Sequence, residues 1–330
     1  MPNRPFRVSV LRARRFLSRP DVVARAFGVL VLLTGLAVTG VAAYLTAHHE
    51  RTESETVSTH RAEQIASVIE SRFALYTALV RGGAALFASS DRVARADWRV
   101  FARSLGVPDA YPGAASLLFI RRLPAATLER DLAEIRADGA PDFEIDRFGA
   151  REYYCPIVYN EPFDFPPLGY DACMRPIPLA TMREAARRRA LAVSGPVYVT
   201  NPDIGTERAG VVIYGPVFRD AELHGWIALP VDVAAVVDEV LADTPEFTIR
   251  LYDGEFAESA LIYPYRQPRP DHVDLRTLRI ELAGGHWVLA YSQPPVHYDT
   301  APAVCAAARS GRSTWSSGSF AATATFCGCT

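Results

Sequence analysis

The sequence predicts an α+β protein hung on one long helix that leaves a membrane. Three observations carry this. An uncharged, mostly apolar run extends from Ala26 to Ala47. Apolar residues then recur at three- and four-residue steps from Ile65 to Phe87, the stripe of a helix with one buried face. Beyond them, strand-like and helix-like segments form separate clusters, the pattern of antiparallel sheets with helices to one side.

A hydrocarbon core about 30 Å thick needs ~20 apolar residues as a helix, and residues 26–47 supply them. Before this run stand Arg4, Arg7, Arg12, Arg14, Arg15, Arg19 and Arg25 against one acid, Asp21; after it come His48, His49, Glu50, Arg51, Glu53 and Glu55. Basic residues close to a span stay on the cytoplasmic side. The reading is a cytoplasmic basic tail (1–25), an inner-membrane helix (26–47) and an extracytoplasmic remainder from about residue 48. A cleaved signal peptide has a shorter apolar region, and a buried core helix would not carry arginines on one flank alone.

Residues 48–90 are expected to form a stalk helix, with Ile65, Val68, Ile69, Phe73, Tyr76, Val80 and Phe87 on its apolar face. That face serves as a dimer seam or packs on its own domain; both can hold at different heights. Gly82-Gly83 is a soft point in it. A second helix follows over "ARADWRVFARSL", then a turn at Tyr111-Pro112-Gly113 and a strand over Ala115 to Ile120. "LERDLAEIRADG" is a helix stopped at Gly139, "FEIDRF" alternates like a strand, "EYYCPIVYNEP" is strand-like and "LATMREAARRRAL" is helical. "GPVYVTN", "AGVVIYGPVFR" and "HGWIALPVDV" read as strands, and "VAAVVDEVLADT" as a helix leaving the sheet. "EFTIRLYDG", "ALIYPYR", "LRTLRIELAG" and "HWVLAYSQP" make a second, smaller strand-rich unit. The division is therefore a membrane-distal module over 91–245, a membrane-proximal unit over 246–298 and an irregular tail over 299–330. The tail is rich in Ala, Ser, Arg and Cys, and reads as a frameshifted or truncated end or as a disordered tail.

Composition argues against several functions. All 35 basic residues are arginine, and no basic stripe continues beyond the first 25 residues, so nucleic acid is not an expected partner. No phosphate-binding loop, zinc-protease motif, nucleophile elbow or dinucleotide fingerprint occurs, so no catalytic residue is assigned and no cofactor is expected; the sensor part of a membrane receptor is the reading, with a membrane-tethered free-standing periplasmic ligand-binding protein or a periplasmic hydrolase as its alternatives. The seven histidines are scattered; His48-His49-Glu50 reads as interfacial rather than as a metal site. Arg187-Arg188-Arg189 reads as a solvated helix face, with anion binding as the sharper alternative. Cys327-Gly-Cys329 is too close for zinc spacing. Cys155 and Cys173 form a disulfide in an oxidising compartment or stay as two unpaired small residues; spacing does not choose.

Five segments in order, "YPGAASLLFIRRL" (111–123), "EYYCPIVYNEP" (152–162), "LGYDACMRP" (168–176), "SGPVYV" (194–199) and "GVVIYGPVF" (210–218), resemble the CHASE domain. This is the extracytoplasmic sensory domain of histidine-kinase and cyclase receptors, and the resemblance spans about residues 75–245. It implies a long helix followed by two PAS-like modules in tandem, the distal one binding a small molecule. It also implies a homodimer through the long helix and a cytoplasmic output. By motif position it makes Asp171 the ligand-binding carboxylate, with Tyr170, Ala192, Ser194, Val212 and Tyr214 as neighbours. The chain departs from the family where many bacterial members carry an arginine pair and this one has Pro178 and Leu179. It departs again at "FDFPP" (163–167), where an asparagine is common, and at Cys155, where proline is usual. From the residues alone, Asp171 either caps the following helix or local backbone N–H groups, or offers an acceptor to a ligand from an aromatic pocket.

Overall fold

The computed structural model describes residues 20–145, 149–162, 166–201, 206–243, 247–264 and 275–292. The basic tail through residue 19, the end of "FEIDRF" and everything from residue 293, including Cys305, Cys327 and Cys329, lie outside them.

One unbroken helix, α1, runs from Pro20 to Ser89 over 70 residues, roughly 105 Å at ~1.5 Å per residue. It joins the apolar run and the stalk without a break. Its part long and apolar enough to cross a membrane is Ala24–Leu45, with mean hydropathy 2.2 and none of it buried in the protein. Gly82-Gly83 does not interrupt it. Gly83 instead allows a close approach, since a Cβ there would stand 3.1 Å from Ile227. Ile65, Ile69, Phe73, Tyr76, Val80 and Phe87 are all buried, as the stripe predicted. Val68 is not: it is 43% exposed, because its position lies about 100° round the helix from the middle of the buried face.

After α1 come α2 (Arg95–Ser104), a short turn of helix α3 (Val107–Ala110), β1 (Leu117–Arg121), β2 (Leu123–Pro124) and α4 (Leu128–Ala137). The chain continues through β3 (Tyr153–Tyr154), β4 (Ile157–Glu161), α5 (Pro176–Arg188), β5 (Ala192–Val193) and β6 (Val197–Asn201). The long hairpin β7 (Thr206–Arg219) and β8 (Glu222–Asp232) completes the distal sheet and leads into α6 (Val233–Val240). The last four strands are β9 (Ile249–Asp253), β10 (Leu261–Tyr263), β11 (Leu275–Leu282) and β12 (Gly285–Ser292). The expected strand at "FEIDRF" is not formed by Phe143, Glu144 and Ile145. Phe143 is buried, and its carbonyl accepts from Arg136 Nε at 3.0 Å, so this stretch is held from α4 instead of pairing in a sheet.

The distal sheet has the order β4-β1-β8-β7-β5, with β6 also pairing β7, and all its pairings are antiparallel. The second sheet has the order β10-β9-β12-β11, again antiparallel. In both, the first strand sits between the second and the last, and the next-to-last strand lies outside the last. The fold is thus α+β with two PAS-like antiparallel modules in series. Helix α1 packs on both. Its lower part meets the second sheet, where the Phe73 and Trp287 ring centroids are 4.7 Å apart and Glu70 accepts the Glu281 N–H at 3.0 Å. Higher up it lies on the distal sheet, where a Cβ at Gly215 would come within 2.6 Å of Val80. The larger core fills this seam between α1 and the two sheets.

His224 on β8 stacks on Phe119, with centroids 5.7 Å apart. Burial, then Arg121 and Arg219, push its pKa from 6.5 down to about 4. The unfolded chain then takes up this proton before the folded one does. Stability should be complete above pH 6.5 and fall as pH drops toward 4, by on the order of 2 kcal/mol. Urea midpoints at pH 7 and pH 5 would measure the loss, and His224→Phe should remove most of it.

Candidate functional site

The distal sheet has a second face, turned away from α1. It carries a smaller core of Leu118, Ile120, Ile157, Ala192, Tyr214, Trp226 and Ala228, covered by Ala172, Cys173, Met182 and Ala185. Helix α5 forms the lid, fixed by Trp226 Nε1 donating to the Met182 carbonyl at 2.9 Å. Directly paired residues of antiparallel strands point the same way. Register therefore lays out one continuous row across this face: Asn160 on β4, Leu118 on β1, Ala228 on β8, Tyr214 on β7 and Ala192 on β5. The neighbouring row holds Pro230, Val212 and Ser194.

The structure thus gathers Ala192, Ser194, Val212 and Tyr214 onto two adjacent rows of one wall. Ser194 is buried and committed to the sheet: its Oγ donates to the Gly195 carbonyl at 2.8 Å and accepts from Val212 N–H at 2.9 Å. Tyr214 is 2% exposed, and its hydroxyl has no hydrogen bond among the described residues. Burial, with Tyr170 close by, raises its pKa and keeps the phenol neutral. Tyr170 packs at the edge of the same core, and its hydroxyl accepts from Arg175 Nε at 3.3 Å.

Asp171 has a different setting. It is wholly buried, and its Oδ1 accepts both the Cys155 and the Cys173 backbone N–H, each at 3.0 Å. Its Oδ2 stands 3.0 Å from Arg151 Nη2, an ionic contact lacking hydrogen-bond alignment. Two backbone donors and a guanidinium thus surround the carboxylate. It caps the 3-10 turn Ala172–Met174, while α5 begins later, after Arg175. Cys155 and Cys173 are bonded to each other, with Cα atoms 5.4 Å apart. These two sulfurs and the Asp171 carboxylate lie within 4.8 Å of one another, but a disulfide has no thiolate to give a metal. The bridge and the carboxylate together tie the chain before β4 to the turn before α5.

Sequence reasoning missed Arg151, the counter-charge of Asp171, and Asn160, Leu118 and Ala228 on the wall. Strand alternation marks Leu118 as facing one side, but nothing local in sequence says that Asn160 and Ala228 flank it.

A family model described as the CHASE domain matches residues 91–263, more than half of the chain. The chain belongs to the CHASE family. The segments that carried the resemblance lie within this matched region, and they supply Asn160, Leu118, Ser194, Val212 and Tyr214 of the wall just described. With its apolar N-terminal helix, the CHASE protein is a membrane protein with an extracytoplasmic small-ligand sensor domain. No curated protein matches it. Among solved structures it is similar to the ligand-binding domain of the amino acid chemoreceptor PctC of Pseudomonas aeruginosa PAO1 in complex with GABA, at 17% identity and TM-score 0.43, over 72% of this chain and 98% of that one. It is also similar to the periplasmic sensory domain of the Campylobacter jejuni chemoreceptor Tlp1, at 10% identity and TM-score 0.45, over 71% and 92%. A third is methyl-accepting chemotaxis protein X, at 14% identity and TM-score 0.47, over 72% and 97%.

Proposed function

We propose that this CHASE domain binds its small molecule on the second face of the distal sheet, under α5, against Tyr170, Ala192, Val212 and Tyr214. The observation that carries the reading is the wall itself. It is apolar and built largely of small and aromatic side chains, with a buried phenol that makes no hydrogen bond among the described residues. Ligand sites have this composition, apolar with a few convergent polar groups. Asp171 serves here as the strut that holds the loop over the wall, its carboxylate being spent on backbone and Arg151.

The test is a thermal-shift series on the full chain in detergent against adenine derivatives, amino acids and small carboxylates. A ligand at 100 times its Kd should add about 2.7 kcal/mol to stability. Val212 is half-buried on the wall. Val212→Trp should abolish a saturable shift; a shift that survives it moves the site elsewhere.

The proposal extends to topology. The arginine-rich segment ahead of the apolar run supports a cytoplasmic N-terminus and an extracytoplasmic remainder. The segments would be a cytoplasmic tail (1–25), a membrane helix, a stalk to about residue 90, a distal ligand module (91–245) and a proximal module (246–298). A binding event on the distal wall would reach the membrane through α1, which packs on both modules.

Dimerisation through α1 has its own support. Val57, Gln64, Val68, Ser71, Leu75, Ala78 and Gly82 are exposed, one step of seven residues followed by alternating steps of four and three. Val57 is 64%, Val68 43% and Leu75 53% exposed, on a stripe beside the buried face and turned away from it. Apolar and small residues at this spacing form the seam of a two-helix coiled coil. Val68→Glu with Leu75→Glu should turn a dimer into a monomer by light scattering, with the thermal midpoint of the distal module little changed. An unchanged mass would place the dimer contact elsewhere.

A further inference from the structure

We propose that Ser116 and Asn160 are the polar recognition edge of this site, and that the ligand presents to them an uncharged group bearing N–H or O–H donors. The inference rests on the reading that the second face of the distal sheet holds the ligand. Its own evidence is a pair of orphaned atoms. Ser116 Oγ and Asn160 Oδ1 are both buried without a hydrogen-bond partner, in residues only 1% and 6% exposed. Such atoms are rare in folded proteins and call for an explanation.

Both belong to the wall. Asn160 is directly opposite Leu118, whose side chain lies in the core of this face. Its amide is oriented by Nδ2 donating to the Pro166 carbonyl at 2.8 Å, which leaves Oδ1 as an acceptor with nothing to accept. Ser116 lies between Ala114 and Leu117, which both pack on the α1 side. An isolated antiparallel bridge joins Ala114 to Val231 while Leu118 pairs with Ala228, so β1 carries one extra residue here, and the bulge turns Ser116 to the other face. Ser116 thus stands two residues before Leu118, the residue paired with Asn160, diagonally across β1 and β4. Tyr214 lies on Asn160's row three strands away, roughly 14 Å between backbones at ~4.8 Å per strand.

Charge decides the class. Asp171 and Arg151 compensate each other, and Glu161 accepts from Arg99 and Arg103 on the α1 side of β4. Arg175 and Arg183 are exposed at the rim and donate to the Tyr170 and Tyr153 hydroxyls. At the buried wall there remain a hydroxyl, an amide oxygen and a phenol, all uncharged. A charged group pushed against them would be desolvated without a counter-charge, whereas an N–H or O–H donor completes the orphaned oxygens.

The test compares nicotinamide, adenine and uracil with GABA, L-alanine and succinate by calorimetry on the full chain in detergent. A neutral compound should bind, at least tenfold more weakly to Ser116→Ala and to Asn160→Leu, and its N-methylated analogue should bind more weakly still. A ligand-free measurement guards against misfolding: Ser116→Ala should melt at or above the parent, since it removes an unpaired hydroxyl. A midpoint lowered by about 5 °C or more would make the hydroxyl structural and overturn the proposal. Failure of the whole neutral set overturns the ligand class. A charged compound whose binding is lost in Val212→Trp but unchanged in Asn160→Leu overturns this inference and leaves the site reading standing. Binding insensitive to Val212→Trp overturns the site reading itself.

Discussion

Asp171→Ala is expected to cost about 3–5 kcal/mol of folding stability, the usual effect of removing one partner from a buried ion pair. The substitution strands the Cys155 and Cys173 amides, whose acceptor it removes, and breaks the 3.0 Å contact with Arg151. For a chain of this size each kcal/mol moves the thermal midpoint by roughly 2–4 °C, so circular dichroism should show a fall of about 10 °C or more. Asp171→Asn keeps one oxygen for the two amides and should lie between the two. The result separates the two roles open to this residue. A variant that melts like the parent but no longer binds ligand would make Asp171 a ligand contact, as its motif position implies. A large loss of stability with weakened binding makes it a strut of the loop over the wall.

Gly169→Ala should be at least as damaging, by about 4 kcal/mol or more. Gly169 has φ +86°, and a Cβ on it would stand 1.8 Å from the Glu144 carbonyl oxygen. Its own N–H donates to the Ile157 carbonyl at 2.9 Å, so the loop cannot swing away without releasing β4. Gly149 is the control: it has φ +75° but nothing within 4 Å of an added Cβ. Gly149→Ala should cost about 1–2 kcal/mol, the conformational term alone. Urea unfolding of the two variants would separate steric blockage from backbone strain. Equal losses would show that the contact with Glu144 is not firm.

Much of this architecture was legible in the chain because it depends on near neighbours. The alternation of "GVVIYGPVF" and the periodicity of Ile65 to Phe87 are properties of short windows, and they located β7 and the buried face of α1. "FEIDRF" alternates as clearly, but its described part, Phe143, Glu144 and Ile145, forms no strand: Phe143 is buried and its carbonyl is taken by Arg136. Val68 fell inside the stripe by spacing and outside it by angle. The loop at Asp171 could be located from its motif, but its partner could not, since Arg151 comes twenty residues earlier in a segment with no marked pattern.

By itself the sequence determined where an apolar helix can cross a membrane, which segments are strands and helices, and which family they belong to. The first two rest on residues within a few positions of one another, and the family on five short segments in order. The tertiary structure alone decided that β1 lies between β4 and β8, so that Asn160, Leu118, Ala228, Tyr214 and Ala192 share one row. Pairing free energy is won between strands far apart in the chain. A strand's own pattern shows that it has two faces, and only the assembled sheet shows what lies beside each of them.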